Sequence, residues 1–520
     1  MILSHRICLA EQPSIQSGVF QESRFPPILI ECSIALIPLL AALGMIVVDA
    51  LTPETAQALV LLLFLSSISV LAVRLRRGIT MGSLAGLTLV AGFVFWYSYP
   101  AFVSHFLPDY ELDQEVYLFV DAEMITWSIV YLSLFFLFGV ATSLVLSSTR
   151  TSQASGRSSS VTPDGYFIIM FSVAACLTGI VSYFVLGGNL STIINGIMES
   201  RAIDKPWRHT ENLGNLVSAF TYVTSSAMIS GACLLWSATI DRQISSWARY
   251  AVWIVAFVIT VTIYFDHGTR SIFALVLLPY LSMWILALWR RSRIYSFIVF
   301  LVLMTIVVVL LQFQMLYRAD YTRSEIYDLL FQEWFTLGDT IDYFKEMVFS
   351  VRLVPSEHEY FHESVFLQFL FSPIPRFVWA DKPASELVWF YTLSRWNIDI
   401  YAQSGNTLPG VVGQYYMSWG WLGPIIVGSL FGFASARLDA LLSKIDLEAD
   451  PYTSSLGIML VVWIFISYRL LSPGFLYPVI GSAVIVLLSR RRRRVVNAYD
   501  AEAQVGNPSE IIGLMAFRSK

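Results

Sequence analysis

The chain has 520 residues, 56% of them hydrophobic and 13% charged, with a mean hydropathy of +0.65. That balance excludes a soluble multidomain protein of this length and points to a polytopic, all-α membrane protein. The formal net charge of −4 decides little, because each charge in such a chain has to be read by the side of the membrane on which it falls.

Residues 1–26 form a mixed, polar tail containing Cys8, Pro13 and Pro26. No apolar run precedes the first span, so no cleavable signal peptide is expected. Stretches long enough to cross a hydrocarbon core of ~30 Å follow, about twelve in all. They run over 27–49, 55–73, 79–103, 124–147, 166–187, 213–239, 250–265, 271–289 and 294–316, then over 411–434, 453–468 and 470–489. The expected domains are the tail at 1–26, transmembrane segments over 27–316, a loop domain over 317–410, a second transmembrane group over 411–489 and a basic tail over 490–520. Cys32, Cys176 and Cys233 fall within spans, which implies no disulfide framework. Of the ionisable groups, only Glu31 falls well inside a span. No internal repeat is visible.

Arg74, Arg76 and Arg77 follow the second span, and Arg150 with Arg157, Arg242 with Arg249, Arg290, Arg291 and Arg293, and Arg490 to Arg494 follow later even-numbered ones. All lie on one side, which the positive-inside rule makes cytoplasmic together with both termini. The loop after the third span instead carries Asp109, Glu111, Asp113, Glu115, Asp121 and Glu123, and reads as external. The 317–410 segment is external too, and connections of such length tend to carry function. Within it Ser324 is a candidate cap for a helix in which Ile326, Leu329, Leu330, Phe335, Leu337, Ile341, Phe344 and Val348 recur at helical spacing, with Glu333, Asp339, Asp342 and Glu346 between them. That helix is expected to lie on the membrane surface. Val365–Ile374 is apolar but too short to cross, and reads as re-entrant or interfacial.

Against this background Arg201, Arg270, Arg318 and Arg376 stand on the side where positive charge is scarce. Asp266-His267-Gly268-Thr269-Arg270-Ser271 is a tight turn between spans, where Gly268 permits the reversal and Arg270 stands at a helix N-terminus that already favours an anion. Arg270 either forms a phosphate-binding corner or snorkels to the headgroups, and His267 is either a base or a solvated loop residue. In Ile374-Pro375-Arg376-Phe377-Val378-Trp379-Ala380-Asp381-Lys382-Pro383 the prolines stiffen the backbone. Arg376 and Lys382 place charge there beside Phe377 and Trp379, aromatic faces that suit sugar rings or an interfacial belt equally well. Gly405-Asn406-Thr407-Leu408-Pro409-Gly410 leads through Gly413, Gln414, Tyr415 and Tyr416 to Gly420-Trp421-Leu422-Gly423-Pro424. Gln414 and the tyrosines offer neutral hydrogen-bonding groups, and the glycines after Trp421 are expected to serve close helix packing.

These stretches, in this order, resemble the oligosaccharide repeat-unit polymerases, the Wzy-type O-antigen polymerases, over roughly the C-terminal half of the chain. The resemblance implies a membrane glycosyltransferase of GT-C-like type in the bacterial plasma membrane. It would polymerise undecaprenyl-diphosphate-linked oligosaccharides on the outer face, without metal or other cofactor. Arg270 matches the family's arginine at a turn between spans, Arg376 the arginine of its proline-arginine motif, and Arg201 resembles an arginine often found in that loop. The arginine-ten-residues-glycine pattern of some members is absent after Arg201, where the next glycine is Gly214. A partner that controls chain length is a further implication; a nucleic-acid partner is not expected.

The expected chemistry is transfer of a sugar from a lipid diphosphate to the hydroxyl of a second lipid-linked unit. Arg270, Arg318 and Arg376 would compensate the charge of the diphosphate leaving group, and His267 or Asp266 would take the acceptor proton. Arg201, Lys382, Trp379, Gln414 and Tyr415 complete the expected substrate-binding set. One motif points elsewhere: His358-Glu359-Tyr360-Phe361-His362 satisfies the zinc-binding H-E-x-x-H pattern. Pro355 and Ser356 place it at a helix start and no third ligand is evident, so a solvated helix is the plainer expectation. An O-antigen ligase shares the fold type and donor, and a lipid-linked-sugar flippase or transporter shares the span number. A carrier, however, usually places ionisable groups at mid-membrane.

Overall fold

The computed structural model describes residues 27–106, 121–148, 162–185, 214–267, 270–289, 342–362, 386–396, 408–445, 449–469 and 476–505, with single residues and short pieces at 292–305, 374, 379 and 471. Every regular element among them is helical: α1 (Pro27–Val47), α2 (Pro53–Arg76), α3 (Met81–Phe106), α4 (Ala122–Ser148), α5 (Gly165–Val185), α6 (Gly214–Ala238), α7 (Ser246–His267), α8 (Arg270–Trp289), α9 (Tyr343–Leu353), α10 (Glu386–Trp396), α11 (Gly410–Trp419), α12 (Leu422–Leu442), α13 (Pro451–Ser467) and α14 (Tyr477–Val505). Six of these are long and apolar enough to cross a membrane: α1, α2, α3, α4, α5 and α12. Helices satisfy their own backbone groups, as a bilayer demands, and the large side chains left outward, such as Leu40, Phe184, Val223, Ile254 and Leu430, are what lipid tolerates.

Two groups of helices meet along one element. α4 packs on α1, α2 and α12, and α6 packs on α5, α7, α8 and α14; α13 touches α3 and α12 on one side and α6, α8 and α14 on the other. The most extensive crossing is α4 on α12, and glycine makes it. A Cβ at Gly428 would stand 2.3 Å from the Phe135 carbonyl oxygen, and one at Gly432 would stand 2.3 Å from that of Gly139. This is the small-residue packing expected for the glycines after Trp421.

The arginine-bearing helix ends gather at one end of the bundle, where acidic groups tie them down. Glu31, fully buried, accepts from Arg74 Nε at 2.8 Å and pairs with Arg77 at 2.6 Å. Arg74 also donates to the Gly86 carbonyl, while the Asp439 carboxylate accepts from the backbone N–H groups of Ala85 at 2.7 Å and Gly86 at 2.8 Å. Asp450 caps α13 through Thr453 N at 3.0 Å and receives Arg490 at 2.5 Å. Arg493 donates to the Pro163 carbonyl at 3.0 Å and Gln243 at 3.1 Å, and Tyr452 donates to Asp241 at 2.9 Å.

Several expectations change. Glu31 is not deep in a span: it sits in the second turn of α1, at the basic end, and Asp439 is a further buried carboxylate because α12 runs on to Leu442. The apolar stretch 411–434 is two helices, broken at Gly420, whose φ of +59° is the left-handed region that only glycine enters without strain. α14 starts at Tyr477, not 470, and carries the arginines of the expected tail on a helix that continues to Val505. The loop-domain helix is capped by Asp342, whose carboxylate accepts from Lys345 N at 2.9 Å. Its apolar residues Phe344, Met347 and Val348 pack on α3, α4 and α11 instead of facing lipid. The Ser324 cap, the 365–373 piece and most of 294–316 lie outside the described residues.

Candidate functional site

α7 ends at His267 and α8 begins at Arg270, at the end of the bundle away from the paired arginines. The ordering of the ends follows from contacts already given. Asp241 and Gln243, just before α7, are bonded to Tyr452 of α13 and Arg493 of α14, so the other ends of α7 and α13 lie at the far end with the start of α8. Of Asp266, His267 and Arg270 only the backbone is described. Arg201, Arg318, Arg376 and Lys382 lie outside the described residues, and Trp379 is half-buried.

What the structure does bring together at the far end is α9, α10, α11 and the turn after α13. α11 is a ten-residue helix buried from Gly410 to Ser418, folded back on α12. Close approach is essential there, since a Cβ at Gly423 would lie 2.0 Å from the Tyr415 carbonyl oxygen. Its first turn is held by its neighbours. Val411 N donates to the Tyr468 carbonyl at 2.9 Å, and Val412 N donates at 3.2 Å to the Tyr97 hydroxyl, which itself reaches the Tyr468 carbonyl at 3.3 Å. Tyr97 is presented by a π-helical turn, Val94–Ser98, an irregularity that recurs at functional sites. Gln414 and Tyr415, both expected in the site, are 3% and 1% exposed. Tyr415 packs edge-on to Trp419, and the Gln414 Oε1 has no hydrogen-bond donor.

α9 lies across α11. Its Glu346 was read in the sequence as one of the polar residues between apolar positions, yet its side chain is only 14% exposed. Glu346 Oε2 accepts from the Tyr391 hydroxyl, and Oε1 lies 3.7 Å from Arg395 Nε, one turn further along α10. Arg395 also stands over the Phe349 ring, 5.3 Å from its centroid. Burial pushes the Glu346 carboxyl above its ordinary range, against the opposing pull of Arg395, the Tyr391 hydroxyl and Lys345. Tyr391 is raised well above the usual phenol value by burial and by Glu346. Tyr343, at the start of α9, rests on Tyr97, with ring centroids 6.4 Å apart. Burial pushes its phenol up to about 12 although Arg469, after α13, draws it down by charge and hydrogen bonding.

The H-E-x-x-H segment forms neither a zinc-binding helix nor a solvated one. After α9 the chain runs through turns, so its histidines do not share a helical face. His358 stacks on Phe361, His362 is exposed at φ +46°, and the N–H groups of Phe361 and His362 donate at 2.9 Å to Met417 and Ser418 of α11. Its role is to strap the loop to α11.

Glu346, Tyr391, Arg395, Tyr343 and Arg469 were missed by sequence reasoning. The available signal was the four-residue spacing of Tyr391 and Arg395, which puts a phenol and a guanidinium on one helix face. The chain matches no protein-family model, no curated protein and no solved structure.

Proposed function

We propose that the chain polymerises undecaprenyl-diphosphate-linked oligosaccharide units into a surface polysaccharide, acting as a metal-independent glycosyltransferase in the bacterial plasma membrane. The observation that carries this reading is the buried network of Glu346, Tyr391 and Arg395 beside Tyr343 and Arg469, at the end opposite the paired arginines. In the proposed orientation the arginine-rich end and both termini are cytoplasmic, so the network and Arg270 face outward, where lipid-linked repeat units are found. About twelve spans and a GT-C-like arrangement belong to the same proposal.

In the proposed reaction a hydroxyl of the incoming unit gives up its proton and its oxygen bonds to the anomeric carbon of the growing chain. The bond from that carbon to the diphosphate breaks, and the lipid diphosphate leaves with the electron pair. Arg270, Arg318 and Arg376 offset its charge in a bidentate geometry that lysine does not reproduce. His267 or Asp266 takes the proton. A chain-length regulator is a proposed partner.

The test is gel analysis of surface polysaccharide from a deletion strain. A single repeat unit on the anchor supports the polymerase. Polymer stranded on the carrier lipid means an O-antigen ligase instead, and unchanged polysaccharide rejects both.

A further inference from the structure

Two buried polar atoms in the surroundings of Tyr343 lack the partners that their chemistry requires. Arg469 stands in the turn after α13 and hydrogen-bonds Tyr343, but its Nε is out of solvent without an acceptor, and among the described residues no carboxylate pairs with it. Gln414 is 3% exposed, and its Oε1 has no donor. A buried donor or acceptor left unmade is costly, and a charged one more so. The two are neighbours through α11. Gly410 faces Tyr343 so closely that a Cβ there would lie 2.9 Å from its ring, and Gln414 follows four residues later on the same face. Tyr468, next to Arg469, accepts the Val411 N–H at 2.9 Å. The first N–H groups of α11 are thus already occupied, and the helix end itself is not the binding element.

We propose that Arg469 and the Tyr343 hydroxyl hold a diphosphate while Gln414 Oε1 accepts a hydrogen bond from a hydroxyl of the sugar attached to it. A guanidinium with no carboxylate partner among the described residues and a buried neutral acceptor with no donor match a ligand that carries an anion and a donor together. A phospholipid headgroup shares the anion, but a phosphatidylglycerol phosphate carries one charge where a diphosphate presents more and a wider span. This inference rests on the polymerase reading for the ligand's lipid tail and deepens it by adding Arg469 and Tyr343 to the arginines proposed for the diphosphate and by naming Gln414 for the sugar.

The experiment measures binding to purified full-length protein in detergent with farnesyl diphosphate, farnesyl diphosphate bearing N-acetylglucosamine, inorganic diphosphate and phosphatidylglycerol. Arg469→Ala and Arg469→Lys are expected to weaken both farnesyl ligands about tenfold or more. Gln414→Met, close in volume, is expected to weaken only the sugar-bearing one. Thermal unfolding of each variant identifies misfolding, and Arg469→Lys keeps the charge if Arg469→Ala does not fold. Wild-type affinity in both Arg469 variants overturns the proposal. So does equal weakening of both ligands by Gln414→Met, or displacement by phosphatidylglycerol as effective as by farnesyl diphosphate. Inorganic diphosphate competing alone shows that the phosphates carry recognition and supports the corner. Selective binding that depends on Arg469, in a protein whose deletion leaves surface polysaccharide unchanged, keeps this site and discards the polymerase reading.

Discussion

Replacing Gly432 by alanine puts a methyl group into the α4–α12 crossing at 2.3 Å from the Gly139 carbonyl oxygen. Ordinary contact needs roughly 1 Å more, and the obstacle is backbone, so the helices must part. A gap of that size forfeits about a quarter to a half of each dispersion contact it opens, along a seam that includes Phe135, Phe136, Val140, Val427 and Phe431. Overpacking of this kind costs about 1–3 kcal/mol. Gly428→Ala meets the Phe135 carbonyl at the same 2.3 Å and is expected to cost as much. Because either change already opens the seam, the double variant should lose less than the sum of the singles by about 0.5 kcal/mol or more. Gly44 is the control: it is exposed on α1 with nothing within 4 Å of a built Cβ, so alanine there should stabilise by about 0.5–1 kcal/mol through helix propensity. Thermal unfolding of the purified protein in one detergent compares the four variants. Gly432→Ala as stable as wild type, or Gly44→Ala as damaging as Gly432→Ala, would refute the close-packed seam.

Glu346 should leave a mark on stability against pH. Its folded pKa lies above the ordinary carboxylate value, so its contribution is full below the unfolded pKa of about 4.3 and is lost as pH rises through the folded value. Glu346→Gln should flatten that part of the profile, and parallel melting curves across acid pH would contradict it. Arg270→Lys and Arg376→Lys should shorten or abolish polymer at unchanged membrane levels, by roughly ten- to a hundredfold in rate, whereas Arg157→Lys should be silent; full-length polymer from both external variants removes the proposed electrostatics. Reporter fusions after residues 77, 157, 242, 293 and 494 should report cytoplasm and fusions within 324–400 the exterior. A cytoplasmic 324–400 loop inverts the site and ends the reading.

The sequence made helix ends legible because charge bias and hydropathy are local. Charge bias alone puts Arg74, Arg242 and Arg490 on one face, and Glu31, Asp241 and Asp450 hold the basic end together in the fold. The break at Gly420 was hidden, since 411–434 is apolar throughout and a hydropathy window has no register with which to see a reversed helix. The far-end network was less legible still. Glu346 and Tyr391 are 45 residues apart, and Val412, at the start of the helix that carries Gln414, bonds to Tyr97, on a helix more than three hundred positions earlier. Helical spacing correctly marked the apolar face of α9, but it takes every residue off that face as solvated, and α10 covers the polar side as well.

α13 is shared by both helix groups, and it is made late: every described helix but α14 precedes it in the chain. Until Pro451–Ser467 leaves the ribosome, the surfaces of α3, α6, α8 and α12 that it will join stand open to lipid or to insertion factors. Neither half of the bundle reaches its final form as an independent unit during synthesis. A premature stop before residue 451 therefore strips a common seam from both halves, and quality-control proteases meet one chain with two unfinished faces.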